Sequence, residues 1–152
     1  MASFVYTHAA ALLLKADIDF DVDDIRVALL KTSGNTTADT ELDVATIGAF
    51  TTVGEVVTTN YSSGGLALAG EIVNEDATND RGEFDATDLV FTSLGTSVTD
   101  TIGAALVYKF VTNFTSSIPI AYIDLADTTT NGGNITLSWN AEGILQATCP
   151  QA

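Results

Sequence analysis

Two stretches decide the fold: Ala104-Ala105-Leu106-Val107-Tyr108-Lys109-Phe110-Val111 and Ile118-Pro119-Ile120-Ala121-Tyr122-Ile123-Asp124-Leu125. Both are apolar runs of strand length, rich in β-branched and aromatic residues. Downstream, Asn134–Trp139 reads as a third strand. The loop Asp127-Thr128-Thr129-Thr130-Asn131-Gly132-Gly133 precedes it, with Asn-Gly turn chemistry. Ile144–Ala147 adds an edge strand. Upstream, Ile25-Arg26-Val27-Ala28-Leu29-Leu30 is a β-branched-rich run of the same kind. Gly54–Thr59 and Leu66–Val73 also read as strands, and Gly82–Asp85 leads into another at Leu89–Phe91. Thr32–Thr40 and Asn74–Arg81 are polar and turn-rich, hence loops, and Leu42–Ala49 suits one short helical turn.

Only the N-terminus breaks this pattern. Val5, Ala9, Leu12, Leu13 and Ala16 recur on one face of a 3.6-residue repeat, which predicts a helix over about residues 3–16 with Ser3 as N-cap. The expected fold is therefore mainly β. It is a β-sandwich or jelly-roll-like set of strands over about 24–148 with one N-terminal α-helix, in a single domain. A chain of 152 residues suits one domain and can bury a core without staples.

Charge narrows the function classes. Against 20 Asp and Glu stand 5 Lys and Arg, for a net charge of −15. The bases Lys15, Arg26, Lys31, Arg81 and Lys109 are scattered, which excludes a phosphate-binding surface and hence nucleic acid as a partner. A polybasic membrane-surface module fails for the same reason, and no apolar run is long enough to span a bilayer. Ala9–Leu14 is short, lacks a preceding base and is followed at once by Lys15 and Asp17, so no signal peptide is expected. Cys149 is the only cysteine. That excludes an internal disulfide or a cysteine-built zinc site, and Cys149 reads as a small residue without an activating partner.

The candidate chemistry is sparse. Asp17, Asp19 and Asp21 match positions 1, 3 and 5 of an EF-hand calcium loop. Val22 then stands where the turn wants Gly, and Ala28 where a bidentate Glu belongs. The run reads better as a solvated connection with Ile18, Phe20 and Val22 facing the core. His8 is the only histidine and no Gly-x-Ser-x-Gly elbow accompanies it, so an enzyme is not expected. No cofactor is implied, because Gly64-Gly65 and Gly132-Gly133 lack the Lys-Ser/Thr and helix of a phosphate loop. The Asn-x-Ser/Thr matches at Asn35, Asn60, Asn113 and Asn134 read as chance in a Thr-rich chain. Tyr61, Phe84, Phe91, Tyr108, Phe110, Tyr122 and Trp139 lie in or beside the strands. Core packing is their default role and a carbohydrate-stacking platform the alternative.

The order of segments carries a resemblance. After the N-terminal helix come Ile25–Leu30, Leu66-Ala67-Leu68-Ala69-Gly70, Phe84-Asp85-Ala86-Thr87-Asp88-Leu89-Val90-Phe91 and Ala105-Leu106-Val107-Tyr108-Lys109. Pro119–Asp124, Asn131–Asn140 and Gly143-Ile144-Leu145 follow. Across nearly its whole length the chain resembles a family of small virion structural proteins of tailed bacteriophages, some of which are similar to capsid decoration, or cement, proteins. It departs from that pattern in its acidity, with Asp and Thr where Lys is common. The resemblance implies a protein on the exterior of the virion capsid. It would bind the major capsid protein, often as a homotrimer, and brace the head against packaged DNA. A tail or head–tail connector component is the alternative within the virion, and a carbohydrate-binding β-sandwich module the alternative outside it. A charge of −15 is repelled by DNA and favours the exterior, but an acidic tail-tube lumen lets DNA slide, so charge does not separate a decoration protein from a tail component. Phe4, Val5 and Tyr6, apolar in the N-terminal arm Met1–Thr7, are the interface candidates, with packing onto the sandwich as the equal alternative.

Overall fold

The computed structural model describes residues 2–95 and 101–148, so Met1 and Cys149 lie outside the described residues. Among the described residues the chain is mainly β with a single α-helix near its N-terminus, in a β-sandwich-like arrangement of antiparallel sheets. The largest sheet has five strands in the order β1 (Phe4–Val5), β8 (Ile118–Thr129), β7 (Thr101–Lys109), β2 (Ile25–Lys31), β3 (Leu66–Ala67). A second has the order β10 (Leu145–Thr148), β5 (Arg81–Asp85), β4 (Ile72–Asp76). β6 (Leu89–Phe91) and β9 (Ile135–Leu137) form a two-stranded ribbon.

The two stretches that decide the fold are its centre. In β7 every residue from Ile102 to Tyr108 is buried. Successive side chains of a strand point to opposite faces, so this sheet is covered on both sides. β2 matches β7 residue for residue from Ile25↔Lys109 to Leu30↔Ala104. Pro119, which has no N–H to give a ladder, sits where the β7–β8 register slips between Val107 and Tyr108, leaving Ile120 without a Cα partner. Gly65 opens the approach of β3 to β2: its φ is +68°, and a Cβ there would overlap the Val27 carbonyl.

The N-terminus differs from expectation. The helix α1 spans Thr7–Leu14, not about 3–16, because Phe4 and Val5 leave it to pair with Tyr122 and Ala121 as β1. Phe4 stacks on Tyr122 at 5.4 Å between ring centroids and meets Tyr6 edge-on at 5.1 Å. These contacts and the ladder outweigh one more helical turn. Ser3 is therefore no N-cap: its Oγ accepts from the Asp124 N–H at 3.1 Å. The helix starts at Tyr6 without a side-chain cap, and of its apolar stripe only Ala9 is buried. Its C-terminus closes with paired bonds, Asp17 N–H to the Leu12 carbonyl and Ala16 N–H to the Leu13 carbonyl, with Ala16 left-handed at φ 58°.

Elsewhere the strands are redistributed. Leu66–Val73 divides in two at Gly70, whose φ is +66°. Gly54–Thr59 contributes one bridge, Leu30↔Glu55, and the helical turn within Leu42–Ala49 is a short 3-10 helix at Ile47–Ala49. Asn74–Asp76 and Arg81 belong to a β-hairpin whose turn is residues 77–80.

Candidate functional site

The arm residues separate by direction. Phe4 is half-buried and Tyr6 fully buried, with the Tyr6 hydroxyl donating to the Ala38 carbonyl at 2.6 Å. Burial, with Tyr122 and Asp39 nearby, pushes that phenol far above the ordinary tyrosine range. Tyr122 beside it is pushed up to about 12, first by burial and then by neighbouring acids. Val5, between Phe4 and Tyr6, points outward and is 40% exposed.

Val5 lies on a groove that two clefts share. The first, of about 240 Å³, runs between β1 and the Gly143–Gln146 stretch, floored by Ala121–Ile123 of β8. The second, of about 210 Å³, continues from Val5, Leu145 and Gln146 over one face of the three-stranded sheet. The register explains its apolar wall: Leu145 is opposite Phe84, and Phe84 is opposite Val73, which places one cross-strand row on one face. Phe20 stacks on Phe84 at 4.0 Å, and Leu13 of α1 completes the wall. Glu83 is the one charged residue lining this second cleft. Sequence reasoning found Val5 but not Leu13, Phe20, Val73, Phe84 or Leu145. Only the β4–β5 and β10–β5 registers together show that the last three are neighbours.

The acids beside the groove lie in the connection after α1 and in the β4–β5 hairpin. Asp19 and Asp21 flank Phe20, and the Asp21 N–H donates to Asp19 Oδ1 at 3.0 Å. Lys109 Nζ meets Asp23 Oδ2 at 2.6 Å and the Asp17 carbonyl at 2.8 Å, which ties the connection to β7. Among the described residues no group of three or more His, Cys, Asp or Glu is placed to hold a metal ion, so Asp17, Asp19 and Asp21 are not brought together. Ile18 is buried and Phe20 half-buried as expected, but Val22 is 80% exposed, because the chain turns at Asp19–Asp23. Arg81 anchors the hairpin through Asp76 at 3.3 Å, Glu83 at 2.7 Å and Glu142 at 3.4 Å.

His8 is half-buried on α1. Trp139 Nε1 donates to the Thr87 carbonyl at 3.2 Å, and its ring lines a cleft of about 360 Å³ with Leu125, Leu137 and Ile144. The Tyr61 hydroxyl is held on both sides, donating to Glu55 Oε1 at 2.9 Å and accepting from the Leu29 N–H at 3.0 Å. Arg26 lies 3.8 Å over the Phe110 ring and bonds Asp24, which holds the Asp24 carboxyl below the usual range. Among the described residues no helix is long and apolar enough to cross a membrane.

Comparison with protein-family models, with curated proteins and with solved structures finds no match for this chain.

Proposed function

We propose that this chain is a bacteriophage capsid decoration protein. It binds the outer surface of the major capsid protein as a homotrimer and stabilises the head against internal DNA pressure. The observation that carries this reading is the contrast between a body at −15 and a groove whose wall is Val5, Leu13, Phe20, Val73, Phe84 and Leu145. An apolar strip on a strongly acidic protein is the surface that a protein partner covers. Many copies, each with a modest interface, then reinforce the shell by multivalency.

The test is copy number in purified particles, followed by add-back to particles stripped of the chain. Near-stoichiometric presence with the major capsid protein and higher heat resistance on add-back are expected. A copy number matching a single tail or connector ring overturns the reading.

A further inference from the structure

We propose that the groove takes an extended β-strand from a different, basic partner chain, added to the open edge of β10. Three observations converge on that occupant. Among the described residues β10 pairs with β5 alone and β1 pairs with β8 alone, so two strand edges without a described neighbour border one cleft. An unpaired edge presents N–H and C=O groups that an added strand satisfies.

The six described edges are not equal. β1 and β3 are two residues long and β6 and β9 three, shorter than β10 or β4, and β6 and β9 do not border this groove. β4 carries Glu75 and Asp76, charges of the sort that guard an edge. β10 is Leu145-Gln146-Ala147-Thr148, with neither charge nor proline. Beside it, Leu145, at the near end of the row it shares with Phe84, and Val5 across the cleft offer apolar contacts to alternate side chains of the incoming strand.

Charge selects between a foreign strand and a second copy. Asp19 and Asp21 flank the lining residue Phe20, and Asp124 and Glu142 adjoin the lining residues Ile123 and Gly143, while Glu83 and Glu142 are ion-paired with Arg81. Of the nearest bases, Arg81 is engaged with Asp76, Glu83 and Glu142, and Lys15 follows the end of α1. A second copy brings another −15 to this rim, whereas a strand flanked by Lys or Arg complements it. The inference deepens the decoration reading, under which the strand belongs to the capsid subunit, but its test needs no particle.

The probe is a labelled synthetic peptide of alternating Val and Thr with two Lys at each end, titrated into the intact chain and followed by fluorescence anisotropy. Backbone pairing is tolerant of side chains, so the native strand sequence is not required. A counterpart with Glu for Lys and one with alternate backbone amides N-methylated complete the set. Binding of the basic peptide is expected to be at least about tenfold tighter than that of the acidic one and to be lost on N-methylation. Val5→Arg, at an exposed position, weakens it by about tenfold or more. Slower amide exchange at Leu145–Thr148 when peptide is added to the unaltered chain reports the same event without a variant. Any of four results overturns the proposal: no binding, equal binding of the two charge forms, binding of the N-methylated form, or an oligomer in sedimentation that Val5→Arg dissociates. The last would make a second copy the occupant. Each leaves copy number in the particle as a separate question.

Discussion

Along β7 every residue from Ile102 to Tyr108 is buried, whereas along β4 every residue from Ile72 to Glu75 is exposed. Both are antiparallel strands, so strand direction does not distinguish them. The difference lies in what covers the faces and edges. β7 has β2 and β8 on its edges, and burial of successive residues requires cover on both faces. The β10–β5–β4 sheet keeps Phe84 as its buried residue and leaves Ile72 and Val73 about half exposed. The inner sheet holds the molecule together, and the outer sheet offers the surface.

The strongest test of that division compares two truncations. Leu106→Ala, at a fully buried site in β7, removes apolar contacts and leaves a cavity, with an expected cost of about 2–5 kcal/mol. Val73→Ala, 48% exposed in β4, is expected to cost less than about 1 kcal/mol. Urea midpoints with unchanged slopes measure both. Similar costs at the two sites would break the comparison, because the outer sheet would then be part of the same cooperative core.

A polar clip sharpens it. Half-buried Glu55 accepts from the Tyr61 hydroxyl, from Ser63 Oγ at 2.7 Å and from the Gly64 N–H, and so fixes the loop that delivers β3 to the inner sheet. Tyr108, in β7, donates its hydroxyl to the Gly64 carbonyl of the same loop. Glu55→Ala leaves three donors without this acceptor, one of them on the half-buried Tyr61, for a loss of about 1.5–3 kcal/mol. Thermal unfolding should register that loss, with partial recovery in Glu55→Gln. A negligible effect of Glu55→Ala would show that packing alone seats the loop.

The same division governs how much of the molecule is legible in its sequence. Ile25–Leu30, Ala104–Val111 and Ile118–Leu125 are readable because a strand buried on both faces needs an unbroken apolar run. Asn74–Arg81 looks like a loop because an exposed strand has no apolar signature. Asn74, Glu75 and Asp76 are held by their ladder to Glu83, Gly82 and Arg81. The helical spacing that begins at Val5 extends the helix too far, since the competing ladder to Ala121 and Tyr122 is remote in sequence. Phe4, Val5 and Tyr6 stand out as an apolar chain end, but which of them faces outward depends on that pairing. The rest of the groove is illegible, because Leu145, Phe84 and Val73 meet only through register.

Acidity separates the two sheets by a smaller effect. Asp76 is held below the usual carboxylate range, chiefly by Asn79, then by the backbone N–H groups of Asn79 and Thr78 and by Arg81. A carboxyl with a lowered folded pKa contributes stability above its unfolded value of about 4 and loses it as pH falls through the lower folded value. Protonation there removes the acceptor that closes the hairpin turn and weakens the Arg81 cluster. The described core of the inner sheet from Ile102 to Tyr108 contains no carboxylate. Amide exchange compared at pH 6 and near pH 3, corrected for intrinsic rates, should therefore show protection falling first across Ile72–Asp85. β7 should retain its protection at the same pH. Simultaneous loss in both sheets would mean that the hairpin opens only with the whole molecule, and the outer sheet would not be an independently adjustable surface.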